Sequence, residues 1–184
     1  MHLVIIIPCL NEEASIGRVI SSIPETIVGI ERIDVVVVND GSTDSTPQIA
    51  SDLGAMVLSH KKNSGVGVAF HTGINKAIEL CADVVVNMDG DGQFNPRDIP
   101  RLVEPILQGR ADFVTASRFK DKALIPEMSW VKKWGNHGMS ALISFLIAEK
   151  FSDVSCGFRA YSREAIVRLN LMGEYTYTQD SFLD

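Results

Sequence analysis

The sequence is poor in cysteine and in basic charge. Its three cysteines, Cys9, Cys81 and Cys156, are far apart and lack CxxC or CxxH spacing, which argues against a disulfide framework and a zinc site. This usage fits a reducing compartment. The 17 basic residues are outnumbered by 23 acidic ones, which gives a net charge of -6. Because nucleic-acid binding needs a basic face that neutralises phosphates, we expect no nucleic-acid partner.

Long hydrophobic runs are also missing. No stretch approaches the ~20 apolar residues needed to span a bilayer. The run from Leu3 to Pro8 is too short for the core of a signal peptide and has no basic segment before it. These residues therefore predict a cytoplasmic protein. No GxGxxG follows this run, which argues against a dinucleotide-dependent dehydrogenase.

The composition is typical of one globular domain. Hydrophobic residues make up 46% and charged residues 22% of the 184 positions, and a single domain commonly has ~100–200 residues. We expect residues 1–184 to form one domain. Thr178 to Asp180 has the pattern of a helix start, and the chain stops soon afterwards at Asp184. We therefore expect the natural C-terminal end of the domain to be missing.

Aliphatic runs alternate with stretches of helical periodicity along the chain. Strands are predicted at 3–7, 33–38, 55–58, 84–88 and 113–116. Helices are predicted over 16–23 with Asn11 as the N-cap, over 45–53, over 69–81, from Asn95 and Pro96 to 106, and after Ser162. Such alternation predicts an α/β fold with a mostly parallel sheet and helices on both of its faces.

Three predicted strands are followed by residues suited to ligand binding. Pro8, Asp40 and Asp89 each come after an aliphatic run, and the carboxyl ends of parallel strands meet at one edge of a sheet. In Asp89-Gly90-Asp91-Gly92-Gln93, two carboxylates and an amide oxygen can hold a hard divalent cation, and the glycines admit a ligand closely. An ordinary acidic turn is the alternative interpretation of this pentapeptide.

Four segments together carry a resemblance to a known family. They are Pro8 to Glu13 (PCLNEE), Val38 to Asp44 (VNDGSTD), Asp89 to Gln93 (DGDGQ) and Ser155 to Arg159 (SCGFR). In this order, they make the chain resemble family 2 glycosyltransferases, and within that family the polyprenyl-phosphate sugar transferases of the dolichyl-phosphate mannose synthase type. The resemblance extends from Leu3 to Asp184.

The resemblance implies a GT-A type nucleotide-diphospho-sugar transferase fold, a single catalytic domain and dependence on Mg2+ or Mn2+. Carried over, Asp89, Asp91 and Gln93 hold the metal and the diphosphate, and a metal there neutralises charge on the leaving group. The implied set for the nucleotide sugar is Pro8, Leu10, Glu12, Asn39, Asp40, Asp89, Gly90, Asp91, Gln93 and Arg118. Asn39 stands where family members often have an acid.

The resemblance leaves more alternatives open for the acceptor than for the donor. Asp153 and Asp180 resemble acceptor-side acids of the family and are the candidate catalytic residues. The leading hypothesis is inverting transfer to a polyprenyl phosphate. The alternatives are transfer to a saccharide hydroxyl, as in the synthesis of cell-surface polysaccharides, and a catalytically silent module that binds nucleotide sugars. Trp130 and Trp134, with the lysines between them, suit a membrane surface, which predicts peripheral attachment at the cytoplasmic face.

Overall fold

The computed structural model describes residues 1–116 and 156–168. The strands are β1 (His2–Cys9), β2 (Arg32–Asn39), β3 (Met56–Ser59), β4 (Val84–Asn87), β5 (Phe113–Thr115) and β6 (Arg159–Ser162). The helices are α1 (Ile16–Ser21), α2 (Thr46–Asp52), α3 (Val66–Glu79), α4 (Ile99–Leu107), preceded by a 3-10 turn (Pro96–Asp98), and α5 (Arg163–Arg168).

The strands in this part of the chain form one six-stranded sheet in the order β3-β2-β1-β4-β6-β5. Strands β1 to β4 pair in parallel, and β6 lies antiparallel between β4 and β5. The predicted mostly parallel sheet is confirmed. Because the parallel strands point the same way, the loops after β1, β2 and β4 lie at the same edge.

Helices cover both faces of the sheet, as predicted. Strand β1 is buried on both sides, and Leu3 to Ile7 are fully inaccessible, which explains its unbroken aliphatic run. One core lies between the sheet and α1, α2 and α4, and the other lies between the sheet and α3 and α5. No helix among the described residues is long and apolar enough to cross a membrane.

Two local predictions are wrong. Pro8 does not follow β1 but lies inside it, opposite Val38 in the parallel register. Asn11 is not an N-cap: α1 begins at Ile16 with Ser15 before it. Asn11 has a positive φ of 56°, a left-handed conformation that asparagine tolerates better than most residues, and it turns the chain out of β1.

The predicted cap at Asn95 is confirmed, but it begins the 3-10 turn, and α4 itself starts three residues after Pro96, at Ile99. The Asn95 side chain accepts a hydrogen bond from the backbone N–H of Arg97, and Pro96 takes the first position of the 3-10 turn. Ser162 likewise accepts a bond from the backbone N–H of Ala165 at the start of α5. These short polar side chains satisfy N–H groups that have no partner within the helix.

Candidate functional site

Carboxylates converge at the edge of the sheet where β1, β2 and β4 end. The buried Cys9 thiol records this convergence, because its pKa is raised to about 12, first by burial and then by nearby carboxylates. Those carboxylates belong to Glu12, Asp89, Asp44 and Asp91. They bring the ends of three strands into one negatively charged region, which is suited to binding a cation. The thiol itself stays protonated and is not a nucleophile.

The loops after β1 and β2 are bonded to each other side by side. Asn11 donates its backbone N–H to the Ser42 hydroxyl, 2.9 Å away, and its side-chain oxygen accepts from the Thr43 backbone N–H, also at 2.9 Å. Glu12 donates its backbone N–H to Thr46 Oγ1 at 2.7 Å. Glu13 accepts from the Ser45 backbone N–H at 3.0 Å. Four hydrogen bonds therefore hold the two loops against each other.

Asp44 hydrogen-bonds the loop after β1 to the start of α2. Its carboxylate accepts from the Thr46 hydroxyl and backbone N–H, and also from the backbone N–H of Glu13. Loss of hydration tends to raise the pKa of Asp44, but the bonds from Thr46 and Glu13 outweigh it and leave that pKa below its usual value.

The acids and amides predicted to bind the nucleotide also make bonds within the protein. Glu12 Oε2 accepts from the Ser15 hydroxyl at 2.7 Å. Asn39 is buried, donates to the Ser59 hydroxyl at 3.1 Å and accepts from the backbone N–H of Ser42 at 2.9 Å. Asn39 thus holds the end of β2 to the end of β3. Leu10 is 39% exposed and projects from the same edge.

Asp89 is packed against the backbone of the segment that leads into β6. A Cβ placed on Gly157 would lie 2.6 Å from Asp89 Oδ2 and 2.9 Å from Oδ1, so a larger residue would displace the carboxylate. The Gly157 carbonyl accepts a bond of 2.8 Å from the side chain of buried Asn87. Gly157 therefore leaves the space in which the Asp89 carboxylate lies.

The rest of the pentapeptide turns tightly. Gly90 is buried, and a Cβ there would lie 2.6 Å from Cys9 Sγ. Asp91 Oδ1 accepts from the Gln93 backbone N–H at 2.9 Å. Gln93 is exposed. It lines a cleft of about 260 Å3 beside α1, together with Arg18, Val19, Ser22, Gly92, Phe94, Asn95 and Pro96.

The donor set fits a hard divalent cation. In the described part of the chain, no group of three or more histidine, cysteine, aspartate or glutamate side chains is arranged to hold a metal. Asp89 and Asp91 nevertheless supply two carboxylates, and Mg2+ is usually bound by one or two carboxylates together with substrate phosphates. A shared site formed with a diphosphate is the arrangement that these residues suit.

Three predicted site residues, Arg118, Asp153 and Asp180, lie outside the described residues, as do Trp130 and Trp134. Sequence reasoning missed the roles of Gly157 and of His60, whose imidazole contacts Asp40. Gly157 stands within one of the quoted motifs, but no local pattern connects it with Asp89. For His60, only its place two residues after the predicted strand 55–58 was a signal.

Comparison with known proteins gives a consistent result. The family model described as "Glycosyl transferase family 2" matches residues 4–169. The chain is 33% identical over 180 residues to the UDP-N-acetylglucosamine–dolichyl-phosphate N-acetylglucosaminyltransferase of Methanococcus voltae. The aligned region covers 88% of this chain and 70% of that protein. The chain is 27% identical over 177 residues to the polyprenol monophosphomannose synthase of Mycolicibacterium smegmatis. That alignment covers 91% of this chain and 64% of the relative.

A solved structure shares the fold. Glucosyl-3-phosphoglycerate synthase from Mycobacterium tuberculosis, in complex with UDP, superposes with a TM-score of 0.66 at 27% identity, covering 89% of this chain and 57% of that one. Another structure of that enzyme contains Mn2+ with UDP. The predicted GT-A fold and the resemblance to polyprenyl-phosphate sugar transferases are confirmed. The chain spans 70%, 64% and 57% of the lengths of these three proteins.

Proposed function

The chain belongs to glycosyltransferase family 2, and we propose that it moves a sugar from a nucleoside-diphosphate sugar to a polyprenyl phosphate. The reaction is proposed to be inverting and dependent on Mg2+ or Mn2+. The observation that carries the donor half is the packing of the turn from Asp89 to Asp91 against the end of β1. A Cβ on Gly90 would lie 2.6 Å from Cys9 Sγ, beside the bonded loops that follow β1 and β2. The names of two relatives support the acceptor half, since one specifies dolichyl phosphate as the acceptor and the other a polyprenol monophosphomannose as the product.

The proposed donor site divides its work among three strand ends. Asp89, Asp91 and Gln93 would hold the metal and the diphosphate, and Gly90 lets their turn pack closely against Cys9 Sγ. A metal held there would supply positive charge to neutralise the departing nucleoside diphosphate. Arg118 donates to phosphate oxygens. Pro8, Leu10, Glu12, Asn39 and Asp40 line the nucleoside side of the site.

The acceptor phosphate supplies the nucleophile. One of its oxygens attacks the anomeric carbon, a new carbon–oxygen bond forms, and the bond from that carbon to the donor's phosphate oxygen breaks. The electron pair leaves with the nucleoside diphosphate, and the configuration inverts. Because a phosphate monoester is already anionic near pH 7, Asp153 and Asp180 serve to orient the acceptor. A lipid acceptor places the reaction at the cytoplasmic membrane face.

A donor and acceptor screen tests this proposal. The full chain is mixed with UDP-, GDP- and dTDP-sugars, with Mg2+ or Mn2+, and thermal unfolding is recorded. A donor at 100 times its dissociation constant stabilises by about 2.7 kcal/mol, and we expect this shift to require metal. Asp89→Asn and Asp91→Asn should abolish the metal-dependent part. Absence of any metal-dependent shift in the wild-type protein would refute the donor half.

Transfer assays then separate the acceptors. Product with undecaprenyl or dolichyl phosphate supports the proposal. Product with saccharide hydroxyls alone indicates the second hypothesis, in which Asp180 is the base that removes the hydroxyl proton. Asp180→Asn should leave transfer to the lipid phosphate near normal and abolish transfer to a hydroxyl. Donor binding without transfer to any acceptor would indicate a silent binding module.

A further inference from the structure

The His60 side chain joins three parts of the molecule beside the candidate site. It follows β3, and its Nδ1 lies 2.7 Å from Asp40 Oδ1 at the end of β2. Its Nε2 lies 3.0 Å from Thr72 Oγ1 in α3. A carboxylate only accepts hydrogen bonds, so Nδ1 carries the hydrogen and donates it to Asp40. The ring is thus held at both nitrogens, and its side chain is 17% exposed.

Asp40 in turn holds the backbone of the loop from Lys61 to Gly65. Its Oδ1 also accepts from the Ser64 backbone N–H at 3.0 Å, and its Oδ2 accepts from the Gly65 backbone N–H at 2.9 Å. The Asp40 side chain is only 6% exposed. Because bonds to a buried carboxylate are strong and depend on its full set of partners, the contact with His60 fixes the carboxylate that orders the loop.

The same loop packs directly on the residue after Asp40. Gly41 has a φ of +82°, and a Cβ there would lie 2.6 Å from the Lys62 carbonyl carbon and 2.7 Å from the Asn63 backbone nitrogen. The loop backbone therefore approaches the end of β2 as closely as a glycine permits. Its position is set by this contact and by the Asp40 carboxylate together.

We propose that His60 is a positioning residue for the donor nucleotide. It fixes Asp40 and, through Asp40, the backbone from Lys61 to Gly65, so that this loop forms one wall of the nucleoside site. The inference rests on the proposed function, which places Asp40 at the nucleoside. It follows that His60 supports donor binding and not the chemical step, because no atom of His60 takes part in the transfer.

Two replacements of His60 make a matched pair. In His60→Asn the side-chain nitrogen can occupy the place of Nδ1 and donate to Asp40, whereas in His60→Gln it lies nearer the place of Nε2. Amide hydrogen exchange of Ser64 and Gly65 is measured in the full chain without ligand. We expect exchange at Ser64 to be about 10-fold faster or more in His60→Gln and close to wild type in His60→Asn. The rise at Gly65 should be smaller, because its N–H is also bonded to Asn63 Oδ1 at 3.0 Å. Thr72→Val, which leaves the Asp40 contact in place, is the control for loss of the other bond.

Donor kinetics complete the test, using whichever of the UDP-, GDP- or dTDP-sugars the wild-type protein binds. His60→Gln should raise the donor KM about 10-fold or more with kcat nearly unchanged, and His60→Asn should restore most of the loss. Unchanged exchange in His60→Gln, or faster exchange with an unchanged donor KM, would overturn the inference while the proposed function stands. If wild-type protein binds none of these donors, the proposed function fails and the nucleotide role of His60 falls with it, whereas the exchange rates still decide whether His60 orders the loop.

Discussion

Replacing Gly157 by alanine is the sharpest test of how the Asp89 carboxylate is placed. The added Cβ would lie 2.6 Å from Oδ2, 2.9 Å from Oδ1 and 3.0 Å from Cγ, whereas ordinary van der Waals contact begins at 3.4 Å. The carboxylate would have to move by about 0.8 Å to restore that separation. Gly157 does not have a left-handed φ, so its backbone accepts alanine and the strain falls on Asp89.

The expected effect is a loss of metal affinity larger than the loss of stability. Groups that orient a metal ligand typically contribute about 10–100-fold in affinity, and we expect a loss in this range for Gly157→Ala. Overpacking of this kind costs about 1–3 kcal/mol of unfolding free energy. Mn2+ binding in the presence of the donor nucleotide is measured by titration calorimetry, and stability by urea unfolding of the same preparation.

Gly17→Ala is the matched control for Gly157→Ala. A Cβ on Gly17 would meet only the side chains of Ile49 and Leu53, at 3.3 and 3.8 Å, so this variant should bind metal normally. Asp89→Asn combined with Gly157→Ala should bind no more weakly than Asp89→Asn alone, because both changes act on one carboxylate. A folded Gly157→Ala protein with wild-type metal affinity would refute the reasoning.

Three further predictions concern the cysteines, Asp44 and Asn11. In the folded protein, the exposed Cys81 should react with a thiol reagent at pH 8, whereas the buried Cys9 and Cys156 should react only after unfolding. Burial and nearby carboxylates raise the pKa of Cys9 to about 12. Rapid reaction of Cys9 in the folded protein would contradict the burial described. Asp44→Asn should lower the free energy of unfolding by an amount that is constant near neutral pH and shrinks as the pH falls below 3.8, the ordinary pKa of this carboxyl. The reason is that a depressed pKa stabilises the fold above the ordinary value, and this contribution is lost when the group is protonated. Urea unfolding at pH 7 and pH 3 checks this, and an equal loss at both would count against it. Asn11→Ala should lower the free energy of unfolding by about 2 kcal/mol, because alanine tolerates the left-handed φ poorly and loses the bond to Thr43. Asn11→Gly should lower it less, since glycine accepts this φ. Denaturant midpoints of the two variants are compared, and equal losses would show that φ is not the cause.

The order of strands and helices was predictable because it depends on local patterns. The run Leu3 to Ile7 has no polar interruption, which suits a strand buried on both faces, and the spacing of Ile99, Leu102, Val103 and Ile106 suits a helix with one buried face. Asn95 was a correct cap because capping acts over two or three residues.

Errors occurred where distant residues decide the local conformation. Asn11 has the residue type of a cap, but it turns left-handed and bonds to Ser42 and Thr43 in a loop more than 30 residues away. Pro8 resembles a strand terminator, yet it remains in β1, paired with Val38. Neither outcome is encoded in the immediate neighbours of the residue, since each depends on how β1 and β2 are aligned.

By itself, the sequence determined the class of fold, the family and the acids at the strand ends, because periodicity and short motifs are local properties. Tertiary structure alone decided which atoms those acids touch. It placed Gly157 against Asp89 across a sequence separation that no local pattern spans, inserted antiparallel β6 between β4 and β5, and bonded His60 to Asp40. Such contacts arise only when strand register brings distant backbone segments together, so they follow from packing and not from any segment alone.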